Sequence, residues 1–334
     1  MAPLTRQQND FRDDGELERE LLTQPAFAGA TLKFVGRLSA KHSQSLEYSL
    51  QWHDGARSIF VKQQAPGPDA ERATLQEFAN LGRIRSLLGL ELGGSVPEPL
   101  LALPKRGILV TSKVPGIPLT ATLKKYANRL SGPFCVSALA ETGLHIGRWL
   151  RSFQDATPAE PLTYDAALYL ADLERWLSQI EEKGFRPGLA REILQQASCQ
   201  SAAVNGRLIS AAASHGDFIA QNILIEEDGV GVVDFEGFSE REAVYDDLGM
   251  FLGYIFILAA RAPYSPQSLD AARRGFLKGF LAGDAIDHAL LNIYILKGAV
   301  RIIADGPPLK ENWRRLRTVR KLTKRLTDLA SGAT

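Results

Sequence analysis

Asp217, Asn222 and Asp234 are of the types, and at the spacing, that phosphoryl transfer requires. Asn222 lies five residues after Asp217 and leads into the apolar residues 223–225. The turn sequence Glu-Glu-Asp-Gly follows, and a second apolar segment, residues 230–233, leads to Asp234. This pattern predicts a β-hairpin. Because the first strand of a hairpin begins where the second one ends, we expect Asn222 and Asp234 to face one pocket.

An amide and a carboxylate that face one pocket are suitable ligands for a hard cation. Mg2+ binds a few protein oxygen atoms and keeps its other positions for water and phosphate oxygens. Asn222 and Asp234 are therefore the predicted metal ligands, and Asp217 remains to accept the proton of an attacking hydroxyl group. The alternative is a plain hairpin at the edge of an unrelated sheet, with Asp217 as a turn residue and Asn222 as a cap.

The same order of residues occurs in the protein-kinase pattern H-R-D-x-x-x-x-N followed by D-F-G. Here residues 215–217 read His-Gly-Asp, and residues 234–236 read Asp-Phe-Glu. With Gly in place of Arg and Glu in place of the final Gly, the stretch resembles the aminoglycoside phosphotransferase and choline kinase family more than the protein kinases. The Asp247-Leu sequence is similar to that family's Asp-Leu element. The resemblance implies that Asp247 and His215 brace the catalytic loop.

Five segments near the start of the chain have strand character. Residues 32–35, 46–52 and 57–62 come first, with a turn predicted at the Asp-Gly sequence of residues 54–55. A further strand pair is expected to open at residues 96–100 and to close at residues 107–112. These segments predict a small antiparallel sheet.

Lys62 ends the third strand, where the resemblance implies the lysine that pairs with nucleotide phosphates. Residues 70–88 have helical spacing. The apolar residues of this helix are Leu75, Phe78, Leu81, Ile84 and Leu88. Glu77 is the predicted ion-pair partner of Lys62, and Glu71 is the alternative. A solvated strand-end lysine and a solvated helix glutamate are the structural alternatives.

Two further segments are expected to surround a nucleotide. Residues 36–45, between the first two strands, contain one glycine, whereas related kinases often have several whose amides approach phosphate. Serine hydroxyl groups and Lys41 are candidates to replace those contacts. The resemblance also implies that the backbone from Ser112 to Val114 binds the adenine edge, before a Pro-Gly turn at residues 115–116.

Beyond residue 116 the apolar spacing is mainly helical. Helices are predicted over residues 136–153, 164–182, 190–213, 248–260 and 269–281. Together with the sheet, they predict an α+β, two-lobed protein-kinase-like fold with a small antiparallel-sheet N-lobe and a mainly helical C-lobe. The expected parts are an N-terminal extension (1–30), a nucleotide-binding N-lobe (31–115) and a C-lobe (116–334) that carries the catalytic loop and a basic terminal helix.

The basic terminal helix is predicted over residues 310–328, which contain eight Lys or Arg residues against two acidic ones. Its apolar residues recur every three or four positions and are Trp313, Leu316, Val319, Leu322, Leu326 and Leu329. The favoured interpretation is a helix that packs on the C-lobe. The alternative is contact with an anionic substrate or membrane surface.

Composition excludes some classes of protein. The net charge of +1 over 334 residues argues against a broadly basic nucleic-acid binder. Cys135 and Cys199 are far apart and without metal-type spacing, which predicts free thiols in a reducing compartment. The first thirty residues do not have the pattern of a secretory signal, and the longest apolar run has thirteen residues. We therefore expect a cytoplasmic protein.

These observations predict an ATP- and Mg2+-dependent phosphotransferase whose acceptor is a hydroxyl group of a small molecule, such as an aminoglycoside, choline or a sugar-like compound. The alternatives are a kinase of an envelope glycolipid or lipid-linked sugar, and a non-catalytic nucleotide-binding protein. A protein kinase is disfavoured because only twelve residues separate Asp234 from Asp247 and no Ala-Pro-Glu element occurs there. No nucleic-acid partner is expected.

Overall fold

The computed structural model describes residues 14–39, 43–53, 55–129, 132–183, 185–227, 229–306 and 313–332. The chain forms two compact units. The first unit comprises Met1–Pro115 and Val232–Glu236, and the second comprises residues 116–231 and 237–334. The short segment Val232–Glu236 thus belongs to the first unit, although it is far in sequence from the other residues of that unit.

The first unit is built on a five-stranded antiparallel sheet. Its strands are β1 (Thr31–Ser39), β2 (Ser43–Trp52), β3 (Gly55–Gln64), β4 (Pro99–Leu103) and β5 (Ile108–Ser112), and their order in the sheet is β1-β2-β3-β5-β4. All five segments with strand character in the sequence contribute to it. The prediction of a small antiparallel sheet is therefore confirmed. Lys41, a candidate phosphate contact, and Asp54, part of the predicted Asp-Gly turn, lie outside the described residues.

The alternation of side chains along β3 separates an apolar face from a polar one. Ile59 and Val61 are buried in an apolar cluster that includes Leu17 of helix α1 (Asp14–Leu22). Because successive side chains of a strand point to opposite faces, Lys62 projects from the other face. Lys62 is half-buried there.

Helix α2 (Ala70–Gly93) follows β3. Its regular part ends near residue 88, as predicted, because Gly89 leaves the helical conformation with φ 61 and ψ −153. Leu75 is 49% exposed, although its spacing placed it with the apolar face. The buried positions in this part of the helix are Thr74, Glu77, Asn80, Leu81, Ile84 and Leu88. Polar groups thus occupy part of the buried face of α2.

The second unit is mainly helical. Its helices are α3 (Leu119–Tyr126), α4 (Pro133–Ala156), α5 (Ala166–Glu182), α6 (Leu189–Val204), α7 (Tyr245–Ala259), α8 (Pro266–Leu281), α9 (His288–Asp305) and α10 (Trp313–Ala330). The helices predicted over residues 136–153, 164–182, 248–260 and 269–281 are confirmed, with boundaries that differ by a few residues. The sequence reasoning missed α9. No described helix is long and apolar enough to cross a membrane.

A small sheet contains the predicted hairpin. It consists of β6 (Ile117–Pro118), β9 (Ile223–Ile225) and β10 (Val230–Val232), in the order β10-β9-β6. The turn is closed by the Glu226 amide, which donates to the Gly229 carbonyl oxygen at 3.1 Å. Asn222 immediately precedes β9, and Asp234 follows shortly after β10. Asp228 of the turn lies outside the described residues.

The helix predicted over residues 190–213 is wrong in its second half. Helix α6 ends at Val204, and β8 (Leu208–Ser214) lies between β7 (Pro158–Thr163) and β11 (Ser239–Ala243) in a three-stranded sheet. Gly206, with φ 78, turns the chain after the helix. The alanines of β8 favour a helix locally, but pairing with a strand on each side outweighs that preference.

Helix α10 packs on the core of the second unit. Leu322, Leu326 and Leu329 are buried in the cluster formed with α5, α6 and α9. The predicted residues 310–312 and the side chains of residues 313–317 lie outside the described residues. In its described part, the apolar face of this basic helix is covered by protein.

Candidate active site

The candidate base lies in a tightly hydrogen-bonded loop after β8. Asn222 Nδ2 donates to the Asp217 carboxylate oxygen Oδ2 at 3.0 Å and to the Asp217 carbonyl oxygen at 3.0 Å. The Asp217 amide donates to His215 Nδ1 at 3.2 Å. Asp217 is half-buried, whereas His215 and Asn222 are buried. The loop therefore brings the predicted base, the predicted amide ligand and His215 together.

A buried carboxylate in the first turn of α7 braces this loop. Asp247 Oδ2 accepts a hydrogen bond from the His215 amide at 2.7 Å. Its Oδ1 accepts from the Gly216 amide at 3.1 Å and from Ser214 Oγ at 3.0 Å. Three donors of one loop are thus satisfied by one side chain. Ser214 was not singled out from the sequence, because its partner lies 33 residues away.

Burial raises the pKa of Asp247 to about 7. The neighbouring charge of Asp246 acts in the same direction, and the hydrogen bonds from the loop oppose it. Asp246 is itself paired with Lys297, with Oδ1 and Nζ 2.7 Å apart. The carboxyl group of Asp247 therefore holds its proton to a higher pH than an exposed aspartate.

Gly216 has a steric reason to be glycine. Its φ is +80, in the left-handed region that other residues rarely adopt. A Cβ atom at this position would lie 2.2 Å from the carbonyl oxygen of Gly237. The arginine that protein kinases have at this point of the pattern would not fit in this loop.

Aromatic packing anchors the same loop. The ring of Phe218, the residue after the candidate base, stacks on Trp149 of α4 with centroids 5.7 Å apart and an interplanar angle of 10°. Trp149 in turn stacks on Phe153, with centroids 5.3 Å apart. Phe218 is fully buried. The position of Asp217 is thus tied to the core of the second unit.

The first unit holds a lysine surrounded by carboxylates. Lys62 Nζ lies 2.7 Å from Glu77 Oε2, 2.8 Å from Asp234 Oδ1 and 3.6 Å from Glu236 Oε2. Glu77 therefore forms the ion pair with Lys62, whereas Glu71 is exposed. Glu236 was noted in the sequence only as a departure from the kinase pattern, and it was given no role there.

The charges of this cluster affect one another strongly. Burial lowers the pKa of Lys62, but the carboxylates of Asp234 and Glu77 more than offset this effect and hold the pKa above its ordinary value. Burial raises the pKa of Glu77 to about 7, although the Lys62 ammonium opposes the shift. Lys62 is therefore held as a cation.

Asp234 has an unusual backbone conformation. Its φ is 69, which is uncommon for a residue other than glycine and often marks functional sites. Its side chain is 44% exposed, while Phe235 after it is buried. The carbonyl oxygen of Phe235 accepts a hydrogen bond from Asn80 Nδ2 at 2.8 Å. The sequence reasoning missed Asn80, because nothing in its local pattern distinguishes it from a surface helix residue.

The donors of this cluster fit a hard cation. Carboxylate oxygens of Glu77, Asp234 and Glu236 lie within 4.8 Å of one another. Oxygen atoms are the ligands that Mg2+ prefers, and the exposed carboxylate of Asp234 can be shared with solvent and phosphate. Asn222 belongs to the other unit, so its joint role with Asp234 stays a prediction.

The segment after β5 contains an amide that has no acceptor within the described part of the chain. The Ser112 amide donates to the Glu98 carbonyl oxygen at 2.9 Å, and the Lys113 amide donates to the Ser58 carbonyl oxygen at 3.0 Å. The Val114 amide has no hydrogen-bond acceptor among the described residues, although Val114 is only 4% exposed. A buried N–H group without an acceptor is costly, so a ligand that accepts from it would be favoured.

The motifs, the fold and the site geometry agree with a comparison against known protein families. Residues 40–285 match the model of APH, the phosphotransferase enzyme family. The chain belongs to this family. The resemblance that the catalytic motifs indicated is therefore confirmed. No curated protein sequence matches the chain significantly.

Solved structures of APH phosphotransferases and related kinases share the fold. The chain is similar to the streptomycin-ATP-APH(2")-IIa ternary complex (TM-score 0.54, 14% identity, 96% of this chain and 99% of that chain). It is also similar to a protein assigned as a fructosamine-3-kinase from Thermobifida fusca YX-ER1 (TM-score 0.57, 16% identity, 94% and 99%). A choline/ethanolamine kinase family protein from Mesorhizobium loti matches similarly (TM-score 0.54, 14% identity, 95% and 99%). The predicted kinase-like fold is confirmed.

Proposed function

We propose that this APH-family chain is an ATP- and Mg2+-dependent phosphotransferase that moves the γ-phosphate to a hydroxyl group of a small molecule. The observation that carries the proposal is the loop around Asp217. Asn222 donates a hydrogen bond to the Asp217 carboxylate, and the Asp217 amide donates to His215. Asp247 accepts a hydrogen bond from the backbone of the same loop. A carboxylate with these supports is suited to a repeated proton transfer in one geometry.

The polar residues predicted for the site then have separate tasks. Asp217 orients the acceptor hydroxyl and takes its proton as the new bond forms. Asn222 and Asp234 hold Mg2+, which when bound neutralises charge on the phosphate oxygens. Lys62, oriented by Glu77, also stabilises that charge. Most of the acceleration then comes from positioning and charge neutralisation.

The base of the nucleotide is assigned to the segment after β5. The Val114 amide is a donor without a protein acceptor among the described residues, so it can donate to the adenine ring. Ser112 lies two residues before Val114. The Ser112 amide donates to the Glu98 carbonyl oxygen, and the Ser112 hydroxyl group accepts from the Glu98 amide. We therefore assign nucleotide binding to residues 31–115 and the catalytic loop to residues 116–334. In the assigned extension of residues 1–30, the described helix α1 joins the core of the first unit.

A small acceptor is favoured over a peptide. Between Asp234 and Asp247, Phe235–Gly237 form a short 3-10 helix, Ser239–Ala243 form β11, and α7 begins at residue 245. This connection has no long loop on which a peptide could dock. Similar solved structures carry or are named for streptomycin, fructosamine and choline or ethanolamine. We infer an acceptor of comparable size.

Two alternatives are weaker. A kinase of a glycolipid or lipid-linked sugar would use the basic helix α10 at a membrane surface, but the described apolar face of that helix is buried in protein. A non-catalytic nucleotide-binding protein would have no need for the oriented Asp217 carboxylate or for Glu77 paired with Lys62.

The proposal is tested by incubating the protein with ATP, Mg2+ and a panel of hydroxyl compounds that includes aminoglycosides, choline, sugars and a lipid-linked sugar. We expect ADP release that depends on one free small acceptor, together with a phosphorylated acceptor seen by mass spectrometry. Transfer only to the lipid-linked sugar would favour the membrane alternative. Nucleotide binding without transfer to any compound would favour the non-catalytic one.

A further inference from the structure

Asn80 lies on α2, three residues after Glu77, and is 6% exposed. Its Nδ2 donates to the Phe235 carbonyl oxygen at 2.8 Å and approaches the Glu236 carbonyl oxygen at 3.4 Å. Its Oδ1 accepts from Gln76 Nε2 at 2.9 Å. Both ends of the amide are therefore engaged, which fixes its orientation. Asn80 thus contacts the backbone immediately after Asp234.

The conformation of Asp234 needs such support. A residue other than glycine at φ 69 is in a sparsely populated region, and it persists only where its surroundings determine it. On one side of Asp234, the Val232 amide donates to the Ser95 carbonyl oxygen at 2.8 Å. On the other side, the buried Phe235 carbonyl oxygen accepts from Asn80. Asp234 thus lies between two backbone groups, at Val232 and at Phe235, that hydrogen bonds hold in place.

We propose that Asn80 is a positioning residue that sets the Asp234 carboxylate for Mg2+ through its hydrogen bond to Phe235. Helix α2 then aligns two functional groups from one buried face. It holds Lys62 through Glu77 and Asp234 through Asn80, so a shift of the helix changes both together. This inference rests on the proposed function, in which Asp234 binds the metal of a nucleotide complex.

The chemistry of the site requires an amide at this position. A donor must face the Phe235 carbonyl oxygen, and an acceptor must face Gln76. Leucine has similar volume but would remove this donor from the carbonyl oxygen. Aspartate keeps the acceptor but places negative charge against the carbonyl oxygen. Both replacements therefore remove the same hydrogen bond by different means.

The test compares Asn80→Leu and Asn80→Asp with Thr74→Val. Thr74 is a matched control, because it is buried on the same helix and its hydroxyl group donates within that helix, to the Ala70 carbonyl oxygen at 2.8 Å. ATP affinity is measured by calorimetry over a range of Mg2+ concentrations. Hydrogen exchange of the amides of residues 234–237 is measured on the protein without ligands.

We expect the Mg2+ concentration that half-saturates tight ATP binding to rise about 10-fold in both Asn80 variants, as for other groups that orient a metal ligand. ATP affinity without Mg2+ should change little. Exchange of residues 234–237 should accelerate in the Asn80 variants and stay at the wild-type rate in Thr74→Val, even if all three proteins lose similar thermal stability.

The outcomes separate this inference from the proposed function. An unshifted Mg2+ requirement in Asn80→Leu, with normal binding by the wild type, overturns the role of Asn80 alone. A Thr74→Val protein with the same shift overturns it too, since the effect would then be general destabilisation. A wild type that binds no ATP overturns the proposed function and this inference together, and the exchange data then show only whether Asn80 orders the segment.

Discussion

Single side chains carry the proposed reaction, and their environments suggest how each one acts. Asp217 is held by an amide and an imidazole within its own loop. Lys62 belongs to the first unit and is held by carboxylates of that same unit. Substitutions at these positions are expected to change different steps, because Asp217 would contact the acceptor whereas Lys62 and Asp234 would contact the nucleotide.

Replacing Asp217 by Ala should abolish transfer but leave nucleotide binding nearly intact. Loss of a general base typically reduces the rate by about 100- to 10,000-fold. Turnover and ATP affinity should therefore be measured side by side on the same preparation. A fall in ATP affinity as large as the fall in turnover would argue against the role of Asp217 as base.

Replacing Asp247 by Asn should change how stability depends on pH. The pKa of Asp247 is raised to about 7 in the folded protein. Its protonated form therefore favours the folded state, and this contribution is complete below the unfolded pKa and is lost as pH rises through about 7. The wild type should lose stability relative to Asp247→Asn between pH 5.5 and pH 8, as read from urea unfolding at both values. A wild type that gains stability relative to the variant over this range would contradict the assignment.

At the scale of elements, close helix packing holds the second unit together. A Cβ atom at Gly147 of α4 would lie 2.0 Å from the Phe276 carbonyl oxygen of α8. A Cβ atom at Gly275 of α8 would lie 1.9 Å from the Ala140 carbonyl oxygen of α4. The two backbones therefore touch at glycines contributed by both helices, and α4 also carries the Trp149 ring that anchors Phe218.

Gly147→Ala should therefore destabilise the second unit by about 1–3 kcal/mol through overpacking. The matched control is Gly82→Ala on α2, where an added Cβ meets no atom within 4 Å. That replacement should stabilise its helix by about 0.5–1 kcal/mol, since alanine is the better helix former. Thermal and urea unfolding measure both. A destabilised Gly82→Ala protein, or an unaffected Gly147→Ala protein, would show that helix contact is not the deciding factor.

At the scale of the whole molecule, the end of the chain extends beyond the family match. The match ends at residue 285, and the later helices α9 and α10 still contribute buried residues to the large core. The described outer face of α10 carries exposed Arg320, Lys321 and Lys324. The packing of α10 on the core and the role of its charged face can be tested separately.

Changing Arg320, Lys321 and Lys324 together to Gln should alter stability by no more than about 0.5 kcal/mol, because exposed charges contribute little. Leu326→Ala should cost about 2–5 kcal/mol, because Leu326 is 0% exposed. Urea unfolding tests both, and pelleting with acidic vesicles at low and high salt tests the membrane alternative. Salt-sensitive vesicle binding by the wild type that the Gln variant loses would move the glycolipid-kinase interpretation ahead.

The sequence by itself was sufficient for features that depend on near neighbours. The five-residue step from Asp217 to Asn222, the hairpin after it and the alternation around Lys62 are all local patterns. These patterns repeat with the period of a strand or a helix, so they predicted most elements and the family. They also named Glu77, because its position on α2 relative to Lys62 follows from the kinase pattern.

Only the tertiary structure decided which polar residues are buried and what they contact. Asn80 meets Phe235 across 155 positions of sequence, and Ser214 meets Asp247 across 33. The alanine-rich end of residues 190–213 became β8 because β7 and β11 lie beside it. Such outcomes depend on energies of long-range contacts, which outweigh local preference but leave no periodic signal in the sequence.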